Sequence, residues 1–134
     1  MFYVDSSALV KLVVVEDETP ALVHYLQRQP RVPVVTSALA RVELARAARR
    51  TSTEHAAAVA RVLSSVDQIP LNTALLDEAG RVGPAVLRSL DAIHLASAQR
   101  LATDLIAFVG YDRRLLDAAA AGGLPTATPG WSPS

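Results

Sequence analysis

Short apolar runs alternate along the chain with longer stretches of helical periodicity, a pattern that predicts a parallel sheet covered by helices on both faces. Met1 to Val4 reads as a central strand, followed by a helix over Ala8 to Leu12 that Ser6 or Ser7 caps. Glu16-Asp17-Glu18-Thr19-Pro20 then punctuates the chain as a solvated run, with Pro20 suited to the first turn of a helix reaching about Gln29. Val32 to Val35 forms a second strand, and Thr36 or Ser37 caps a helix from about Ala38 to Arg50. An alanine-rich helix follows Thr53 and ends near Asp67. Ile69-Pro70-Leu71 reads as a brief edge strand, and Leu75 to Val82 as helix. Gly83-Pro84 breaks that helix. Ser89 caps the next one, Asp91 to Leu101, after which Leu105 to Val109 supplies a strand and Arg113 to Ala121 the last helix. Gly122-Gly123 ends it, Leu124 to Thr128 adds an edge strand, and a loose Pro-Gly-Trp-Ser-Pro-Ser tail follows. No repeat or linker divides residues 1–134, so the expectation is one α/β domain in three α/β/α layers around four or five parallel strands.

Four acids stand where these elements begin or end. Asp5 follows the first strand and Asp112 the Leu105 to Val109 strand, so both occupy carboxyl ends of strands, where open α/β sheets place their crevice. Glu43 and Asp91 lie in or at the start of helices. Gathered together, four negative charges repel, and either some stay protonated or a divalent cation neutralises them. Hard cations such as Mg²⁺ and Mn²⁺ prefer oxygen ligands, and carboxylates that leave coordination positions to water suit phosphate chemistry. Each acid also has a plain structural use: Asp5 as a helix cap, Glu43 as a partner of Arg46 or Arg50, Asp91 at its own helix start, Asp112 in a turn. Asp117, just over one helical turn beyond Asp112, is too far into the last helix to be a first choice and is a substitute ligand only if Asp112 is not used.

Charge changes this picture in one respect. The chain is formally neutral, yet with those four acids bound to metal the 13 Lys and Arg face 9 remaining Asp and Glu, a balance of +4 that suits an anionic substrate. Arg46 and Arg50 fall at i+3 and i+7 from Glu43 and extend a basic stripe away from the acids. Arg113 and Arg114 directly follow Asp112, and arginine forks match phosphate oxygens. The few aromatics sit mostly in strands and offer no platform for stacking bases. With no cysteine, disulfides, thiolate metal sites and thiol nucleophiles are excluded. The longest apolar runs, such as Leu12 to Val15, fall far short of a membrane span, and no leader pattern is visible, so a cytoplasmic location is expected.

Asp5-Ser6-Ser7-Ala8-Leu9-Val10-Lys11, Thr36-Ser37 leading to Glu43, and Phe108-Val109-Gly110-Tyr111-Asp112-Arg113-Arg114-Leu115 resemble the motifs of the PIN-domain family. So does Ser89-Leu90-Asp91-Ala92-Ile93-His94-Leu95-Ala96-Ser97-Ala98, the most specific of them. More narrowly the chain resembles VapC-type ribonuclease toxins of toxin-antitoxin modules. The resemblance implies a PIN-like α/β fold and a catalytic, metal-binding quartet of Asp5, Glu43, Asp91 and Asp112. It also implies Mg²⁺ or Mn²⁺ as cofactor and hydrolysis of RNA by a metal-activated water to 5′-phosphate and 3′-hydroxyl ends. Implied partners are an RNA substrate, a cognate antitoxin and a second copy in a homodimer. The helices around Leu9 to Val15 and Ala21 to Leu26 would serve as groove or dimer surface.

Ser7 matches the family's hydroxyl position and orients a water or phosphate, or else caps the first helix. Gly110 departs from the pattern, because many members carry threonine or serine there; the change removes a hydroxyl from the Asp112 corner. His94, between Ile93 and Leu95, reads as a packed histidine with a hydrogen-bond partner rather than a general base. Two other classes of function compete: a PIN-like scaffold that captures RNA or protein without turnover, and a phosphatase or phosphoacceptor built on Asp5. The last lacks a second aspartate two places on and a glycine-rich phosphate loop.

Overall fold

The computed structural model describes residues 1–52 and 54–132, and among these five strands make one all-parallel sheet. The central strand β1 (Phe2–Val4) is flanked by β2 (Val34–Ser37) and then β3 (Asp67–Ile69) on one side. On its other side lie β4 (Ala107–Val109) and β5 (Thr126–Ala127), giving the order β3-β2-β1-β4-β5. All three residues of β1 are buried, as expected of a strand with helices over both faces. Alternation of side chains sends Phe2 and Val4 one way, into a core with Leu9, Leu22, Leu44 and Val59, supplied by α1 (Ser6–Val13), α2 (Thr19–Gln27), α3 (Ala40–Thr51) and α4 (His55–Ser64). Tyr3 points the other way and stacks on its register partner Phe108, ring centroids 5.3 Å apart. That second core continues through Leu95 and Leu115, with α5 (Thr73–Ala79), α6 (Ser89–Gln99) and α7 (Arg113–Ala121) covering the face. The three-layer α/β/α expectation holds, with five strands rather than four.

The topology positions the site. From β1 the chain moves outward through β2 and β3, then crosses back to add β4 on the opposite side. The strand order therefore reverses between β1 and β4, and the carboxyl ends of those two strands open the crevice typical of such switch points. Asp5 follows one of them and Asp112 the other.

Several local expectations are corrected. Asp5 caps α1, the structural use also read for it from sequence, its carboxylate accepting from Ala8 N at 3.0 Å, so neither Ser6 nor Ser7 is the cap. α3 starts at Ala40 without a side-chain cap: Thr36 donates instead to Val4 O across the sheet at 2.7 Å, and the Ser37 hydroxyl accepts from Leu39 N. Ser89 is the first residue of α6, and Arg88 holds the cap position without a side-chain bond. β3 ends before Pro70, which has no N–H for a ladder. Glu16 and Glu18 are not merely solvated, since both close on the buried Lys11, at 3.3 and 3.1 Å. The lysine also sits 4.7 Å from the centre of the Tyr111 ring. Thr53, read as the approach to the alanine-rich helix, and the last two residues of the tail lie outside the described residues. Among the described residues no helix is long and apolar enough to cross a membrane.

Candidate active site

Asp5 turns out of β1 with its backbone N–H still bonded to Val109 O at 3.1 Å, so its position is set by the sheet. The residue is 2% exposed. Oδ1 accepts from Ala8 N and from the Ser7 hydroxyl, the latter at 2.6 Å. Ser7 in turn accepts from Tyr111 N at 2.8 Å and so clamps the end of β1 to the loop after β4. The hydroxyl thereby holds Asp5 in place, and Ser7 does not cap α1.

Asp5 Oδ2 lies over Gly110. A Cβ on that glycine would stand 2.6 Å from Oδ2 and 2.9 Å from the carboxylate carbon, well inside contact distance. The glycine is therefore more than a lost hydroxyl: the space of a side chain there is filled by the carboxylate of Asp5. Gly110→Ala should push that carboxylate off its seat, lowering divalent-cation affinity roughly 10- to 100-fold, as lost supporting contacts do at metal sites. Calorimetry with Mn²⁺ measures this, and an unchanged affinity would show that Asp5 swings aside at no cost.

Glu43, in the first turn of α3, is held differently. Its Oε1 accepts from the Ser6 hydroxyl and from His94 Nε2, the latter at 2.7 Å. His94 is 2% exposed, and its Nδ1 meets the buried Tyr3 hydroxyl at 2.6 Å. Because a carboxylate only accepts, Nε2 must carry a proton; in the neutral ring Nδ1 is then the acceptor of the Tyr3 O–H. Burial raises Tyr3 well above its ordinary value, so the phenol keeps that proton. Burial alone would raise Glu43 as well, but the hydrogen bond and charge of His94, with the Ser6 hydroxyl, bring it below the usual range. The pairing with Arg46 or Arg50 considered from sequence does not form.

The side chain of Asp91, in the first turn of α6, makes no hydrogen bond among the described residues. Burial raises it above the usual 3.8, followed by the like charge of Asp112. Asp5 is raised for the same first reason, and Asp112 adds to it against the opposing effects of His94, Ser7 and Ala8 N. Asp112 caps α7, its Oδ1 accepting from Leu115 N at 3.2 Å. Asp112 thus acts on both Asp5 and Asp91, and Glu43 also raises Asp91. A common arrangement recurs in three of the four: one oxygen of Asp5, Glu43 and Asp112 is engaged by the protein, while Asp5 Oδ2, Glu43 Oε2 and Asp112 Oδ2 make no hydrogen bond among the described residues. As the side chains stand, no three acidic or histidine groups among the described residues are close enough to hold a metal ion unaided.

Arg46, Arg50, Arg113 and Arg114 are exposed and make no ion pair among the described residues. Asp117 is also exposed and lies on α7 beyond the quartet, lining a neighbouring cleft. Sequence reasoning missed Tyr3 and Ser6 as supports of Glu43. Only the i+3 spacing from Asp91 to His94 hinted at them, and the two hydroxyls come from the middle of β1 and the start of α1, which the sheet alone brings beside α6.

Comparison with known proteins follows the same lines. The PIN-domain profile matches residues 2–121. Ribonuclease VapC47 of Mycobacterium tuberculosis is 44% identical over 133 residues, covering 97% of this chain and 98% of that protein. Ribonuclease VapC46 of the same species is 46% identical over 127 residues, with 95% and 96% covered. Among solved structures, the M. tuberculosis VapC20 toxin, described as cleaving the sarcin-ricin loop, superposes with a TM-score of 0.72 over 96% of this chain and all of that one. At 19% identity it attests the fold alone. PAE2754 from Pyrobaculum aerophilum gives a TM-score of 0.60 at 27% identity, with 93% and 87% covered. With its acids on the switch-point edge and these relatives matched end to end, the chain belongs to the PIN-domain family and, within it, to the VapC-type ribonuclease toxins.

Proposed function

We propose that this chain is a divalent-cation-dependent endoribonuclease, the toxin of a type II toxin-antitoxin pair, built as a single PIN domain. The observation that carries this reading is that Asp5, Glu43 and Asp112 are each held by the protein through one oxygen while the other makes no hydrogen bond among the described residues, and that Asp112 raises both Asp5 and Asp91 by its like charge. The donor set fits a hard cation, Mg²⁺ or Mn²⁺, which takes oxygen ligands and retains several waters, so that one or two direct carboxylates suffice. Asp5 and Asp91 would be the principal ligands, with Glu43 and Asp112 holding waters or a second ion. When bound, the cation neutralises the quartet, polarises a phosphoryl oxygen and acidifies a water for in-line attack on phosphorus.

The chain's own residues supply the rest. Ser7 and Ala8 N orient Asp5, and Ser6 with His94 orients Glu43. His94 is buried and already committed to Glu43 and Tyr3, which argues against it as the base. The unpaired Arg46, Arg50, Arg113 and Arg114 are suited to flanking phosphates of RNA, to which the names of the curated relatives also point. A cognate antitoxin, a homodimeric state and a cytoplasmic location belong to the same reading.

A specific observation favours a second reading, in which the fold captures RNA or protein without turnover: among the described residues no three acids converge closely enough to hold an ion unaided. One experiment separates them. RNA incubated with Mg²⁺ or Mn²⁺ should be cut by the wild type, stay intact in EDTA, and stay intact with Asp91→Asn, which should also abolish Mn²⁺ binding in calorimetry. Equal cutting under all three conditions ends the cation mechanism, and RNA binding without cutting selects the scaffold. Sequencing the RNA ends left after brief expression identifies the target.

A further inference from the structure

A cleft of about 900 Å³ opens beside the acidic edge, between α6, α7 and the loop that joins α5 to α6. Asp91, Leu95 and Gln99, at i, i+4 and i+8, form its wall on α6; Arg114, Asp117, Ala118 and Ala121 form its wall on α7. Both helices start at the carboxyl edge of the sheet, so the cleft begins at the acids, shares Asp91 with them, and runs down between the two helices. Its volume falls within the roughly 300–1,000 Å³ of pockets that hold small organic ligands, and like them it is mostly apolar with a few polar groups.

The polar groups are sorted along its length. Arg88 and Arg114 stand at the end nearest the acids, both exposed and without an ion-pair partner among the described residues. Leu87 and Leu95 provide apolar walls beyond them. One amide, Gln99, and one carboxylate, Asp117, are the hydrogen-bonding groups farther from the mouth. Cations beside an apolar slot with a small number of acceptors and donors match a single unstacked nucleotide: phosphate at the mouth, base face against leucine, base edge toward Gln99 and Asp117. A second protein chain would instead favour an apolar mouth, and the pair of guanidiniums there argues for a polyanion.

We infer that this cleft is the binding subsite for the unpaired nucleotide next to the scissile phosphate, and that Asp117 and Gln99 select its base. The inference rests on the proposed ribonuclease reading and deepens it. Neither selecting residue belongs to the acidic quartet. A carboxylate at position 117 accepts from base N–H groups, whereas an amide there can both accept and donate, so Asp117→Asn should change which base is preferred.

The test uses the full chain and a random-sequence single-stranded RNA pool. Wild type should show a base preference at the nucleotide beside the cut, read by end sequencing. Asp117→Asn should alter that preference, and Ala121→Phe, which fills the cleft from an exposed position, should raise KM roughly tenfold while kcat changes little. In the non-cutting Asp5→Asn background, Ala121→Phe should weaken binding of the same pool in fluorescence anisotropy by a similar factor. If wild type cuts but both variants keep its base profile, KM and pool binding, the subsite is wrong and the enzyme stands. If wild type cuts nothing, the proposed function falls and this subsite falls with it, and the anisotropy comparison then shows only whether the cleft binds RNA. A change of oligomeric state in Ala121→Phe with cutting, base profile and pool binding untouched would make this face an interface between copies, which also overturns the inference.

Discussion

Asp5→Asn is expected to remove RNA cleavage by on the order of a thousandfold while leaving the protein folded, because electrostatic help from a bound cation is worth several kcal/mol and about 1.4 kcal/mol is a factor of ten. Asparagine keeps an oxygen that accepts from Ala8 N and Ser7, and it is itself a good helix cap. What it loses is the charge. That charge is unfavourable in the cation-free fold, since burial first and then Asp112 raise Asp5 above its ordinary 3.8. For an acid raised on folding, the cost of ionisation is absent below the unfolded value near 3.8 and complete above the folded value. Wild type should therefore lose stability relative to Asp5→Asn as pH rises through that window. Over the same window its Mn²⁺ affinity should grow, because Asp5 and Asp91 are both shedding protons later than ordinary carboxylates. Thermal melts with and without Mn²⁺ at several pH values check all of this: the ion should raise the Tm of the wild type and leave the variant unmoved. A variant that melts lower than wild type without metal at neutral pH, or that still cuts RNA, would contradict the assignment.

Replacing His94 should produce the other large effect. In His94→Ala the Tyr3 hydroxyl loses its 2.6 Å partner and Glu43 Oε1 keeps only Ser6, in a place where His94 itself is 2% exposed. An orphaned buried polar group costs about 1–3 kcal/mol and the vacated volume adds to it, so roughly 2–4 kcal/mol of stability should be lost. Chemical denaturation measures that part. Glu43 is also freed to rotate, and divalent-cation affinity of the still-folded protein should drop about 10- to 100-fold, as it does when supporting hydrogen bonds of metal ligands are removed. His94→Gln keeps a donor toward Glu43 and should recover part of that affinity. If glutamine restores stability but no affinity, or alanine leaves affinity intact, His94 is a packing residue and not a positioning one. Tyr3→Phe offers a milder version, retaining the stack on Phe108 while removing only the hydroxyl.

Much of the architecture was legible because it rests on local chemistry. The apolar run of β1 could belong only to a strand buried on both faces, and Gly122-Gly123 marks the end of α7 at Ala121, where the structure ends it. Caps were harder to read. Ser6, Ser7, Thr36, Ser37 and Ser89 all suit a cap by type, yet Asp5 caps α1, and four of these five hydroxyls reach partners set by the tertiary fold or the next turn: Ser6 to Glu43, Ser7 to Asp5, Thr36 to Val4, Ser37 to Leu39. A hydroxyl's bonding capacity is known from the residue, but its partner depends on what the fold brings within 3 Å or so. Gly110 shows the same limit. Sequence alone marks a missing hydroxyl, and only the packed loop shows that the carboxylate of Asp5 occupies the space.

By itself the sequence determined the alternation of strands and helices, the family, and the acids at element boundaries, since periodicity and residue type are properties of the chain. The tertiary structure alone decided that β4 lies beside β1, which brings Asp112 to Asp5 across more than a hundred residues, and which oxygen of each carboxylate the protein holds. Those outcomes are long-range: strand order and side-chain orientation are fixed by burial of both sheet faces at once, and no local stretch of chain contains that information.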